Sequence, residues 1–143
     1  MMKMQKAVLV SALALGLGGL SSPVWADVYC PPNPGAVTID DNVIVTGSCV
    51  LDRTQVKGNV LVSSGGALTV RDARIEGNIQ ADGGIFVRVV RSDVDGDIQL
   101  KGLFGQASRV QRSSIGGNLQ LDDNRVPLTA DYNTIDGLSL IHI

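Results

Sequence analysis

The chain has 143 residues, 17 of them glycine, with 3% aromatic residues and a net charge of −2. This length suits one small domain. Its mild acidity argues against nucleic acid as a general partner.

Lys3 and Lys6 form a short positive stretch, and Ala7 to Leu20 is an uncharged apolar run. Ser21, Ser22 and Pro23 end the run, and Val24-Trp25-Ala26 offers a small-residue cleavage site before Asp27. This order of features predicts a signal peptide over residues 1–26, cleaved after Ala26. The apolar run falls short of the roughly 20 residues of a membrane-spanning helix. A membrane anchor or a buried helix is the alternative. Cys30 follows Asp-Val-Tyr, which is not a lipid-attachment context. The expectation is an exported chain, periplasmic or secreted, with no stable membrane insertion after cleavage. Without Lys3 and Lys6, the twelve Lys and Arg become ten against fourteen Asp and Glu, a net charge of −4.

Residues 27–38 hold Cys30, Pro31, Pro32 and Pro34 and read as an N-terminal cap segment. Cys30 and Cys49 are the only cysteines. Export permits a disulfide between them, which would pin the cap across the first coil. In the chain-entropy model such a bridge stabilises by roughly 3 kcal/mol. A buried free thiol is the alternative. No redox role is assigned, since a catalytic pair more usually shows Cys-x-x-Cys.

Residues 39–137 are repetitive. Val56-Lys57-Gly58-Asn59-Val60 returns as Ile75-Glu76-Gly77-Asn78-Ile79, Val94-Asp95-Gly96-Asp97-Ile98 and Ile115-Gly116-Gly117-Asn118-Leu119. Ile39 to Val43 is a degenerate first copy, and Ile135-Asp136-Gly137 begins another. The leading residues are spaced 17, 19, 19, 21 and 20 apart. Each copy carries two alternating stretches. Ile75, Gly77, Ile79 and Ala81 share one face in the first, and pairs such as Leu68 and Val70 share one in the second. Gly65-Gly66 and Asp82-Gly83-Gly84 mark corners. Two or three short strands per copy cannot bury a core alone. Stacked about 4.8 Å apart along an axis they can. The prediction is an all-β, single-stranded, right-handed parallel β-helix of about five to six coils of 17–21 residues. A leucine-rich repeat has a similar period, but its Leu-x-x-Leu-x-Leu signature is missing here.

The Gly-Asn-Val/Ile/Leu core, the Gly-Gly corner and the stretch Ser114 to Arg125 carry a resemblance. Over roughly residues 37–137 the chain resembles small exported bacterial β-helix repeat proteins of unknown function. More distantly it is similar to the bactofilin-type polymer-forming β-helix. The resemblance implies a coil rather than a chemistry. Because bactofilins are cytoplasmic, the export signal sets this chain apart from their cytoskeletal role.

Within the coils, Asn59, Asn78, Asp97 and Asn118 form one column and Gln80, Gln99 and Gln120 another. Stacked amides hydrogen-bond along an axis, so both read first as structural ladders. A flat polar face that binds glycan is the alternative. Asp93, Asp95 and Asp97 are weak calcium candidates. Asp95 and Asp97 are expected on one outward face, about 7 Å apart, a spacing that also suits inverting glycoside hydrolysis. A solvated acidic face explains them as well. Arg88 and Arg109 share an outward column, and Arg91 and Arg112 a corner column. Together they are candidate ligands for an acidic polysaccharide or envelope component. Asp72 and Asp93 are placed to neutralise them. Phe86, Phe104, Tyr29 and Tyr132 are too scattered for a sugar-stacking platform. His142 is the only histidine, so no Ser-His-Asp or Cys-His set is expected. No cofactor is called for, and no catalytic set stands out.

The expectation is therefore a non-enzymatic structural or binding module. A carbohydrate-active enzyme follows only from fold analogy, and end-to-end self-association follows from exposed strand edges. The repeat calls for Asn, an apolar residue and Gln after Gly137, but Leu138-Ser139-Leu140 follows. Leu-Ser-Leu-Ile-His-Ile translates CTG TCT CTT ATA CAC ATC, the end sequence of a transposon adapter used in sequencing libraries. Residues 138–143 are expected to be a non-native, adapter-derived tail. A natural C-terminal strand packed on the last coil is the alternative.

Overall fold

The computed structural model describes residues 27–142. The signal peptide expected over residues 1–26 lies outside them. No helix occurs among the described residues. The described residues form eighteen short strands in three parallel sheets. Sheet I holds β1 (Val28–Cys30), β3 (Val43–Val45), β6 (Val60–Val62), β9 (Ile79–Asp82), β12 (Ile98–Lys101), β15 (Leu119–Asp122) and β18 (Ser139–His142). Sheet II holds β4 (Ser48–Asp52), β7 (Ala67–Arg71), β10 (Phe86–Val90), β13 (Ser108–Gln111) and β16 (Leu128–Asp131). Sheet III holds β2 (Thr38–Ile39), β5 (Gln55–Val56), β8 (Arg74–Ile75), β11 (Asp93–Val94), β14 (Ser114–Ile115) and β17 (Thr134–Ile135). Successive strands visit sheets III, I and II in turn, so each coil is one three-sided turn. This is the parallel β-solenoid the repeat predicts.

The register follows the repeat. Val56, Ile75, Val94, Ile115 and Ile135 stack in sheet III. Val60, Ile79, Ile98 and Leu119 stack in sheet I. Leu51, Val70, Val89 and Val110 do so in sheet II. Most of these side chains are fully buried and form one continuous core. β-branched residues suit it, because a pleated surface accepts them without rotamer loss.

One detail differs from the expectation. The stretch Ile75 to Ala81 is not one strand. It bends at Gly77-Asn78, leaving Ile75 in sheet III and Ile79 in sheet I. Both still point inward, because the bend turns the chain around the core.

The corner between sheets II and III turns on one left-handed residue per coil: Arg53, Asp72, Arg91, Arg112 and Tyr132, with φ between 49° and 57°. In the first four of these coils the residue after it, Thr54, Ala73, Ser92 or Ser113, is buried and fills the corner.

At the N-terminal end β1 pairs with β3, and Cys30 bonds to Cys49 with Cα atoms 5.4 Å apart. Asn33 Oδ1 accepts from the Val50 amide at 2.8 Å, where β4 has no preceding strand in its sheet. At the other end Ser139–His142 pairs with β15. Backbone pairing is indifferent to side-chain identity, so this strand forms although the repeat's Asn and Gln are replaced. Leu138, Leu140 and Ile141 are exposed there.

Candidate functional site

The Gly-Asn corner between sheets III and I is the most regular polar feature. The amide of Asn59 donates to Asn42 Oδ1, that of Asn78 to Asn59 Oδ1, that of Asp97 to Asn78 Oδ1 and that of Asn118 to Asp97 Oδ1, all at 2.7–2.8 Å. Leu138 continues the series on Asn118 Oδ1. The ladder thus runs from backbone amide to side-chain oxygen, not from side-chain amide to side-chain amide. Only an acceptor is required, which is why Asp97 substitutes for Asn. Beside it Gly77, Gly96, Gly117 and Gly137 each donate to the glycine carbonyl one coil back at 2.9–3.1 Å. A Cβ at Gly77 or Gly96 would collide with the ladder oxygen and with backbone of the preceding coil. Glycine is needed here for close approach, not for an unusual φ.

This bend corrects the expected carboxylate face. Asp95 precedes it and bonds to Arg74 Nη2 at 3.0 Å. Asp97 follows it and aims Oδ1 along the axis at the Asn118 amide. Asp93 lies in β11 between Arg74 and Ser114 of the neighbouring coils. The three share no cluster. Among the described residues no group of three His, Cys, Asp or Glu side chains is arranged to hold a metal ion.

The four arginines lie on two adjacent coils. Arg88 and Arg109 are direct register partners in sheet II. Arg91 and Arg112 occupy consecutive left-handed corners. Their engagements differ. Arg91 makes a two-pronged bond to Asp72, at 3.0 and 3.2 Å. That bond, with the Arg91 charge, holds the Asp72 carboxyl below its ordinary value and raises Arg91 further. Arg88 lies 4.0 Å over the Phe86 ring and donates to the Ala107 carbonyl and Gln106 Oε1. Arg112 lies 5.6 Å from the Tyr132 ring centre. Arg109 is exposed. Asp72, as expected, neutralises part of the patch, whereas Asp93 sits on another sheet.

The glutamine column is a second surface. Gln80 Nε2 donates to Gln99 Oε1 at 3.0 Å, and Gln99 Nε2 to Gln120 Oε1 at 2.7 Å. It runs along the outer face of sheet I, where a depression of about 660 Å³ opens. Leu61 and Leu140 extend the same column at its two ends. Asp82, Lys101 and Asp122 line it two residues farther on.

Sequence reading missed a buried hydroxyl column at the corner between sheets II and III. Ser92 Oγ accepts from the Ala73 amide, Ser113 Oγ from the Ser92 amide, and Asn133 Oδ1 from the Ser113 amide, at 3.0–3.2 Å. The available signal was a small or hydroxyl-bearing residue two before the sheet III apolar residue in four successive coils: Thr54, Ala73, Ser92, Ser113.

The structure carries the parallel β-solenoid that the repeat motifs imply. Comparison with protein-family models, with curated proteins and with solved structures gives no match.

Proposed function

We propose that the chain is an exported, non-enzymatic solenoid, a structural or ligand-binding module of the cell envelope or extracellular space. One observation supports this reading above others. The recurring polar side chains are engaged in joining coil to coil: the Asn/Asp ladder, the Ser column, and the Asp72–Arg91 and Arg74–Asp95 pairs. Asp97, one of the two carboxylates with a spacing suited to glycoside hydrolysis, serves as a backbone acceptor. The Cys30–Cys49 bond agrees with an oxidising compartment.

Incubation of the mature chain with a panel of polysaccharides tests the reading. No release of reducing ends or unsaturated products is expected. Cleavage that disappears in Asp95→Ala or Asp97→Ala would replace the proposal with a carbohydrate-active enzyme. Fractionation of expressing cells should place a mature chain beginning at Asp27 outside the cytoplasm.

A second reading, capture of an acidic polysaccharide, is favoured by the adjacency of Arg88 and Arg109. Arg109→Ala should then weaken retention on polygalacturonate in a salt-sensitive manner.

A further inference from the structure

We propose that the outer face of sheet I, along Gln80, Gln99 and Gln120, is a binding groove for an uncharged, extended polyhydroxylated chain, a neutral glycan. The depression there is about 660 Å³, within the range of ligand sites. Its three amides are already ordered by one another. Gln99 donates one N–H and accepts once within the ladder, which leaves a second N–H and a second lone pair. Hydroxyl groups are both donors and acceptors and match that leftover pair. Rungs recur at the coil spacing, about 4.8 Å, so a polymer lying along the axis meets the same amide at each coil. Holding the amides before the ligand arrives lowers the ordering cost of binding.

Charge selects among polymers. Asp82, Lys101 and Asp122 alternate in sign along the groove. A polyanion meets Asp82 and Asp122, and a polycation meets Lys101. A neutral chain meets neither penalty. Leu61, at one end of the column, offers an apolar surface for a sugar ring face. The three glutamines all precede Leu138, and of residues 138–143 only Leu140 lines the groove, at its far end.

The inference rests on the chain being a non-catalytic module, and its test is separate from the cleavage assay, so either can fail alone. The test is affinity electrophoresis of the mature, folded chain in gels containing dextran, soluble starch, laminarin or hydroxyethyl cellulose, beside a polygalacturonate gel. At least one neutral polymer should retard the wild type. Gln99→Leu should weaken that retardation about tenfold, the worth of one or two hydrogen bonds. Gln99→Asn, shorter by one methylene, should weaken it less, and Arg109→Ala should leave it unchanged. Thermal unfolding of each variant checks that the fold persists. Retardation by none of the four neutral polymers would overturn the proposal. So would retardation that survives in Gln99→Leu, or retardation by polygalacturonate alone that is lost in Arg109→Ala.

Discussion

Asp97 shows most clearly how residue type follows from position. Its Oδ1 takes the Asn118 amide, which otherwise faces the preceding coil without a partner. Asp97→Asn keeps the acceptor and should change stability by less than about 1 kcal/mol. Asp97→Ala leaves that amide unsatisfied and should cost roughly 1–3 kcal/mol by urea unfolding. Equal costs for the two variants would contradict the ladder. Gly96→Ala forces a methyl into the Asn78 oxygen and the Gly77 carbonyl, and should cost about 2 kcal/mol or more. Asp72 carries a pH dependence. Its bond to Arg91 lowers its folded value below the ordinary 3.8. The linked stability is therefore fully present above that ordinary value and declines as pH falls through the lowered one. Both side chains are about half exposed, so the effect is small and screened by salt. Asp72→Asn should flatten the acid limb of the stability curve, and an unchanged limb would remove the effect.

At the scale of the strand, the inward columns were legible in the sequence and the corners only partly so. Ile, Val and Leu recur with period two because each sheet has one buried face, and that pattern survives the bend. The bend itself was not legible. Gly77 interrupts nothing in the alternation, so Ile75 to Ala81 reads as one strand although it crosses two sheets. The misplaced Asp95–Asp97 face follows from the same oversight. The serine column escaped notice because Ser is common in turns for other reasons, and only stacking shows its hydroxyls accepting from the neighbouring coil. The arginine grouping was legible, since register follows directly from repeat spacing. Asp72 was legible as a partner, but the aromatic partners were not, because Phe86 and Tyr132 become ring platforms only once the outward side chains are placed. The columns make one energetic prediction. Ile98, fully buried between Ile79 and Leu119, should cost roughly 2–5 kcal/mol when replaced by Ala.

The whole molecule is a stack in which each coil contacts mainly its neighbours, so stability approximates a sum of coils and interfaces. The disulfide acts at one end of that stack. It closes a sequence separation of 19 residues and fixes β1 and the proline-rich segment over the first coil. Reduction, seen as a gain of two hydrogens in mass, should destabilise by roughly 3 kcal/mol. The loss should be felt first in the amides of β1 and β4. The most direct test of the stacked-coil account is residue-resolved hydrogen exchange on the mature chain. The amides of Asn59, Asn78, Asp97 and Asn118 should exchange slowly, one per coil, because each donates to a side-chain oxygen of the coil before. Asp97→Ala should speed exchange at Asn118 while leaving Asn59 protected. Rapid exchange at all four in the wild type, or an Asn118 amide indifferent to residue 97, would contradict it.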